Sequence, residues 1–222
     1  MDDLKSEKEQ IEEIRAWWSE YYLVVLAGVV IAVCAILGFN YYKDARLDAQ
    51  LAASELFEQL AGHVGNGDLD AAEAVASDLV TDYASTPYAA QSRLAMARLY
   101  MDKNRDQDAV DMLNEVLVMP GADDLVGVAR LRLARVLLYQ EKAQEVVDLL
   151  QGANDPAFDG LYNDVLGDAY AALGDYTKAV EAYGRAMADP SSNNVIDRAF
   201  IQMKLADLPQ AVVTTAEGGE NE

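Results

Sequence analysis

Two patterns of apolar positions divide this chain. From Tyr21 to Tyr42 (YYLVVLAGVVIAVCAILGFNYY) they run for twenty-two residues without a charge. From about Leu47 to Leu208 they recur at every third and fourth position among polar and charged residues. The first pattern predicts a helix with no polar face, the second a string of amphipathic helices. Breaks are expected at Gly62–Asp68, Ser85–Pro87, Asn104–Asp106, Pro120–Asp124, Glu141–Ala143, Gly152–Pro156, Gly174–Asp175 and Asp189–Asn194. β-branched alternation is absent, so the fold class is all-α: helix, short turn, helix, longer turn, repeated.

As a helix, the uncharged run covers ~33 Å at 1.5 Å per residue, against a hydrocarbon core of ~30 Å. Eleven residues between Leu23 and Phe39 are Leu, Ile, Val or Phe, which favour insertion by roughly 3–7 kcal/mol together. Trp17, Trp18, Tyr21 and Tyr22 precede the run and Tyr41 and Tyr42 close it, at the depths where amphipathic rings prefer the headgroup layer. A cleaved signal peptide would need a short basic start and a small-residue cleavage site. Here twenty acidic-leaning residues come first and Tyr41-Tyr42-Lys43 stands where cleavage would fall. A single uncleaved transmembrane helix is the expectation. Three basic residues before the span and two just after it, Lys43 and Arg46, lean toward a cytoplasmic N-terminus. That difference alone does not settle the topology.

The amphipathic part carries an internal repeat, clearest at Val165–Pro190 (VLGDAYAALGDYTKAVEAYGRAMADP). Leu166, Gly167, Tyr170, Gly174, Tyr176, Ala179, Tyr183 and Ala186 stand at tetratricopeptide spacing. Small Gly167 and Ala179 let two antiparallel helices cross closely, Tyr170 and Tyr183 fill the space this leaves, and Gly174 makes the turn. Asn163 replaces the motif's leading aromatic, and Pro190 is the stop signal. Weaker copies place Ala72, Ala109, Val146 and Ala179 in equivalent positions, 37, 37 and 33 residues apart. The segment from about Asn194 to Leu208 is expected to cap the last repeat. The organisation is then an acidic segment at 1–20, a transmembrane helix at 21–42, a tetratricopeptide-repeat-like α-solenoid at 43–208, and a disordered acidic tail at 209–222.

Charge narrows the function. Past the span there are 14 basic and 31 acidic residues, a balance that repels nucleic acid and anionic lipid. His63 and Cys34 are the only residues of their kinds, too few for a zinc, haem or iron–sulfur centre. His63 is expected in the turn at Gly62–Asp68, exposed. With no nucleophile, phosphate-binding or zinc-protease motif, neither enzyme activity nor a cofactor is expected.

Tetratricopeptide arrays hold peptides on the surface lined by each unit's first helix. Here those helices carry Arg93 and Arg98, then Arg130, Arg132 and Arg135. The repeat puts Arg98 and Arg135 in equivalent groove-facing positions, with Met101, Leu138, Tyr139 and Asp168 on the same side. Such a basic patch suits an acidic segment or a terminal carboxylate, bound by forked hydrogen bonds. The more ordinary expectation, given greater weight, is that these arginines pair with nearby carboxylates. Within the span, Gly28, Ala32 and Ala35 form a small-residue stripe that would let another helix approach.

The order of these parts resembles the YfgM family, the ancillary subunit of the bacterial SecYEG translocon. The likeness starts at Glu7-Lys8-Glu9-Gln10-Ile11-Glu12, continues through Ile14-Arg15-Ala16-Trp17-Trp18-Ser19-Glu20, and resumes at Gly38-Phe39-Asn40-Tyr41-Tyr42 and the repeats. Tyr21-Tyr22 and Tyr41-Tyr42 stand where members often have an Asn-Gly pair and tryptophans. The resemblance implies an inner-membrane protein of type II topology with a short cytoplasmic N-terminus and a periplasmic repeat domain. It implies as partners the SecYEG translocon, a PpiD-like membrane-anchored periplasmic chaperone and a cytoplasmic stress-response regulator, with a role in passing newly translocated chains into the periplasmic folding network. The alternative is a cytoplasm-facing tethered scaffold for another membrane assembly.

Overall fold

The computed structural model describes residues 7–188 and 196–209. Among the described residues there are nine α-helices and no strand: α1 (Glu7–Asn66), α2 (Leu69–Asp82), α3 (Pro87–Asp102), α4 (Asp106–Leu117), α5 (Asp123–Tyr139), α6 (Ala143–Leu150), α7 (Asp159–Ala172), α8 (Tyr176–Ala188) and α9 (Arg198–Ala206). The expected breaks from Ser85 to Asp175 all lie at helix junctions, with Pro87, Asp106, Asp123 and Ala143 opening the helices that follow. The stop at Pro190, the break at Asp189–Asn194 and the tail from Gln210 lie outside the described residues.

The chain divides into two compact units, Met1–Leu51 and Ala52–Glu222. In the first, α1 carries the apolar run, its large side chains exposed along their length. It is the one helix among the described residues long and apolar enough to cross a membrane. Trp17 and Tyr21 rings lie 5.7 Å apart at its N-terminal end. Gly28 has open space around its α-carbon, and Ala32 and Ala35 are likewise exposed.

In the second unit, α3 packs on α4, α5 on α6, and α7 on α8, while α3 also meets α5 and α5 meets α7. First helices thus neighbour first helices, the stacking expected of a tetratricopeptide-like α-solenoid. Its core is a continuous buried cluster running from Ala53 and Leu60 through Met96, Leu113, Val146 and Val165 to Ile201. Fully burying one Leu or Val side chain stabilises by about 1.5–3 kcal/mol.

One expected break is misplaced. A turn is expected at Gly62–Asp68, yet α1 continues through Gly62 and Gly65 to Asn66. Two helical glycines cost about 1 kcal/mol each. Leu60, fully buried, and Phe57 and Val64, packed against the core, offset that cost. His63 therefore sits in the last turn of a helix, its Nδ1 3.9 Å from an Asp68 carboxylate oxygen.

All four helix-to-helix turns inside the repeats use the same device. Gly67, Asn104, Glu141 and Gly174 have φ of 73°, 58°, 61° and 78°. The next residue's N–H reaches five residues back in each case: Asp68 to His63, Arg105 to Tyr100, Lys142 to Leu137 and Asp175 to Tyr170. This is the Schellman closure, in which a left-handed residue lets two late carbonyls find donors.

Candidate functional site

The face built from first helices holds a cavity of about 470 Å³, walled by the end of α1, by α3 and by α5. Phe57 and Val64 come from α1, Leu94 and Arg98 from α3, and Arg132 from α5. Phe57 is fixed by the Tyr88 ring, 5.7 Å away between centroids. Arg132 Nη1 donates to the Leu94 carbonyl at 3.4 Å, tying α5 to α3.

The residues expected on this face are distributed as follows. Arg98 is exposed and lines the cavity. Met101 and Leu138 are partly buried against the core. Arg135 and Tyr139 are exposed one repeat further along, Tyr139 to 65%. Asp168 is occupied: it accepts from the Tyr183 phenol at 2.7 Å and from Lys204 Nζ at 2.8 Å. Lys204 also bonds Asp164 at 2.9 Å, so α9 covers the α7 carboxylates that correspond to Leu131 and Arg135.

The ordinary expectation for the arginines holds for only part of the set. Arg93 pairs with Glu115. Arg98, Arg132 and Arg135 have no carboxylate in ion-pair range among the described residues. A different cleft, about 450 Å³ between α2, α3 and α4, shows the contrast. Its polar wall is satisfied internally: Glu73 accepts from Tyr100 at 3.0 Å and from Arg105 at 2.7 Å. Burial, then the Glu73 hydrogen bond, push the Tyr100 phenol up to about 12.

Phe57, Ala61 and Val64 are not among the residues expected from sequence, because Gly62 and Gly65 there signal a turn and not a helix. The signal was present, since these residues stand 37 before Leu94, Arg98 and Met101.

A family model describing a tetratricopeptide repeat-like domain matches residues 15–210. This chain belongs to that family. Within the tetratricopeptide repeat-like family it has curated relatives of nearly equal length. It is 25% identical over 202 residues to a protein of Aggregatibacter actinomycetemcomitans, covering 91% of this chain and 97% of that one. It is 26% identical over 208 residues to one of Escherichia coli, covering 94% and 99%. With one of Neisseria gonorrhoeae it shares 27% over 203 residues, covering 91% and 97%. All three are named ancillary SecYEG translocon subunits, in agreement with the resemblance read from the N-terminal motif. That name describes a channel component and not a catalyst.

Proposed function

We propose that this protein is an ancillary subunit of the SecYEG translocon. One apolar helix at 21–42 anchors it in the inner membrane, residues 1–20 face the cytoplasm, and the tetratricopeptide repeat-like domain at 43–208 faces the periplasm. There it links the channel to a membrane-anchored chaperone of the PpiD kind and helps newly translocated chains into the periplasmic folding network. The observation that carries this reading is likeness along 91–94% of the chain to proteins named for that role. Helix packing alone supports only an anchored interaction module, because all the repeat-motif residues are core residues.

Two measurements test the proposal. A periplasm-only reporter enzyme fused after Leu208 should be active. A silent reporter would mean a cytoplasm-facing scaffold. Purification of the full chain from gently solubilised membranes should bring SecYEG and the chaperone with it, and their absence from crosslinked samples would remove the assignment.

A further inference from the structure

We infer that the groove between α1, α3 and α5 docks an extended acidic segment of a partner polypeptide, with an apolar side chain set between carboxylates. This rests on reading the repeat domain as a protein-binding module and adds the chemistry of what it binds.

Basic groups are scarce in this domain. Past the span, 31 carboxylates surround 14 basic groups, so an exposed guanidinium has abundant candidate partners. Arg93, Arg105, Lys178 and Lys204 all have one within 2.9 Å. Arg98 and Arg132 face one cavity with no carboxylate in ion-pair range among the described residues, and Arg135 continues the basic line one repeat on. The Arg98 guanidinium, and the Arg132 donors not engaged by the Leu94 carbonyl, are matched to carboxylate oxygens. Phe57, Val64 and Leu94 supply an apolar wall in the same cavity, which would shield an inserted aliphatic side chain. Asp102, one helical turn beyond Arg98, also lines it. It ends the basic stretch and disfavours a carboxylate at that side. A basic segment would meet the guanidiniums unfavourably.

The test uses the full chain in nanodiscs of neutral lipid. The probe is a blocked, labelled synthetic peptide of alternating glutamate and leucine. It should bind, and raising the salt concentration should weaken it. The matching lysine–leucine peptide should not bind. Arg98→Ala with Arg132→Ala should weaken binding about tenfold or more, the effect of losing charge-assisted hydrogen bonds. Arg185→Ala, whose guanidinium bonds Asn163 elsewhere, should leave affinity unchanged. Should the double alanine variant lose helicity, Arg98→Lys with Arg132→Lys keeps the charge and removes the fork, and should still bind several-fold more weakly.

Equal affinity for both peptides, or an undiminished Arg98/Arg132 variant, overturns the inference. So does much tighter peptide binding by a chain ending at Pro209, which would assign the groove to this chain's own acidic terminus. Self-association abolished by the same variants would assign it to a second copy and overturn it equally. Translocon co-purification is scored separately on the unsubstituted chain, so that reading can fail while peptide binding stands.

Discussion

At the scale of residues, the repeats keep a constant volume by trading size across one contact. Gly167 faces Tyr183, and a Cβ at Gly167 would collide with that ring. The same two repeat positions hold Leu60 and Ala76, Ala97 and Leu113, and Ala134 and Leu150. A large side chain on one helix accompanies a small one on the other. Gly167→Ala should therefore destabilise by about 1–3 kcal/mol through overpacking, measured by urea unfolding. Adding Tyr183→Leu should recover most of that loss, because Ala134 and Leu150 make the same pairing. No recovery would show the pair is not the controlling contact. The missing leading aromatic has its own replacement. Asn163 is buried, donates to the Asp159 carbonyl at 2.9 Å and accepts from Arg185 Nε at 2.9 Å.

Tyrosine ionisation is also a residue-scale matter. Burial first, then acceptance of their protons by Glu73 and Asp168, raise the phenols of Tyr100 and Tyr183. A phenol near 10 in the unfolded chain and about 12 at Tyr100 in the fold contributes stability that is complete below pH 10. That stability is lost as pH rises through 12. Alkaline unfolding should thus begin above pH 10, and Tyr100→Phe should reduce the pH dependence. A Phe variant with the parent's alkaline melting curve would contradict this.

At the scale of elements, turns and the terminal cap decide where stability can change. Glu141 is held at φ 61° in a position where two of the other repeats use glycine. A left-handed residue with a Cβ costs about 1–2 kcal/mol. Glu141→Gly should raise the melting temperature, with the net gain reduced to about 1 kcal/mol or less by glycine's freedom in the unfolded chain. A lower melting temperature would show that Glu141 does more than close the turn. The last helix is attached by Ile201, almost fully buried, and by Lys204, which bridges Asp164 and Asp168. The Lys204 ammonium also lies 4.9 Å from the Phe200 ring centroid. Lys204→Met keeps the aliphatic stem and removes the charge, leaving two partly buried carboxylates without their cation. Amide exchange in α9 should accelerate about tenfold or more, as losing charge-assisted bonds implies, while α3 and α5 stay protected. Uniform acceleration would mean that α9 unfolds only with the whole domain.

For the whole molecule, the controlling quantity is the free energy of inserting one helix. The eleven Leu, Ile, Val and Phe side chains favour the bilayer by roughly 3–7 kcal/mol, and each central Arg opposes it by about 2.5–3.5 kcal/mol. Val29→Arg with Val33→Arg should cancel the preference and release the chain from carbonate-washed membranes. Retention of the double variant would show that something other than the apolar run holds it. The acidic balance of the repeat domain acts at the same scale, favouring solubility and keeping nucleic acid away.

What the sequence by itself determines follows from short-range chemistry. An uncharged run of bilayer length, helical periodicity, punctuation by Gly and Pro, and a 37-residue interval are local or periodic properties, and each determines an element without knowledge of its neighbours. Over Gly62–Asn66 the two glycines signal a turn, but long-range packing of Leu60, Phe57 and Val64 keeps the helix going and leaves the turn to Gly67–Asp68. Periodicity puts Arg98 and Asp168 on one face, but it is blind to partners. Folding brings Lys204 from α9 onto Asp168 and leaves Arg98 facing Phe57 and Arg132 with no carboxylate in ion-pair range among the described residues. Which charges are neutralised depends on distances between residues far apart in the chain, so it emerges only when the helices stack.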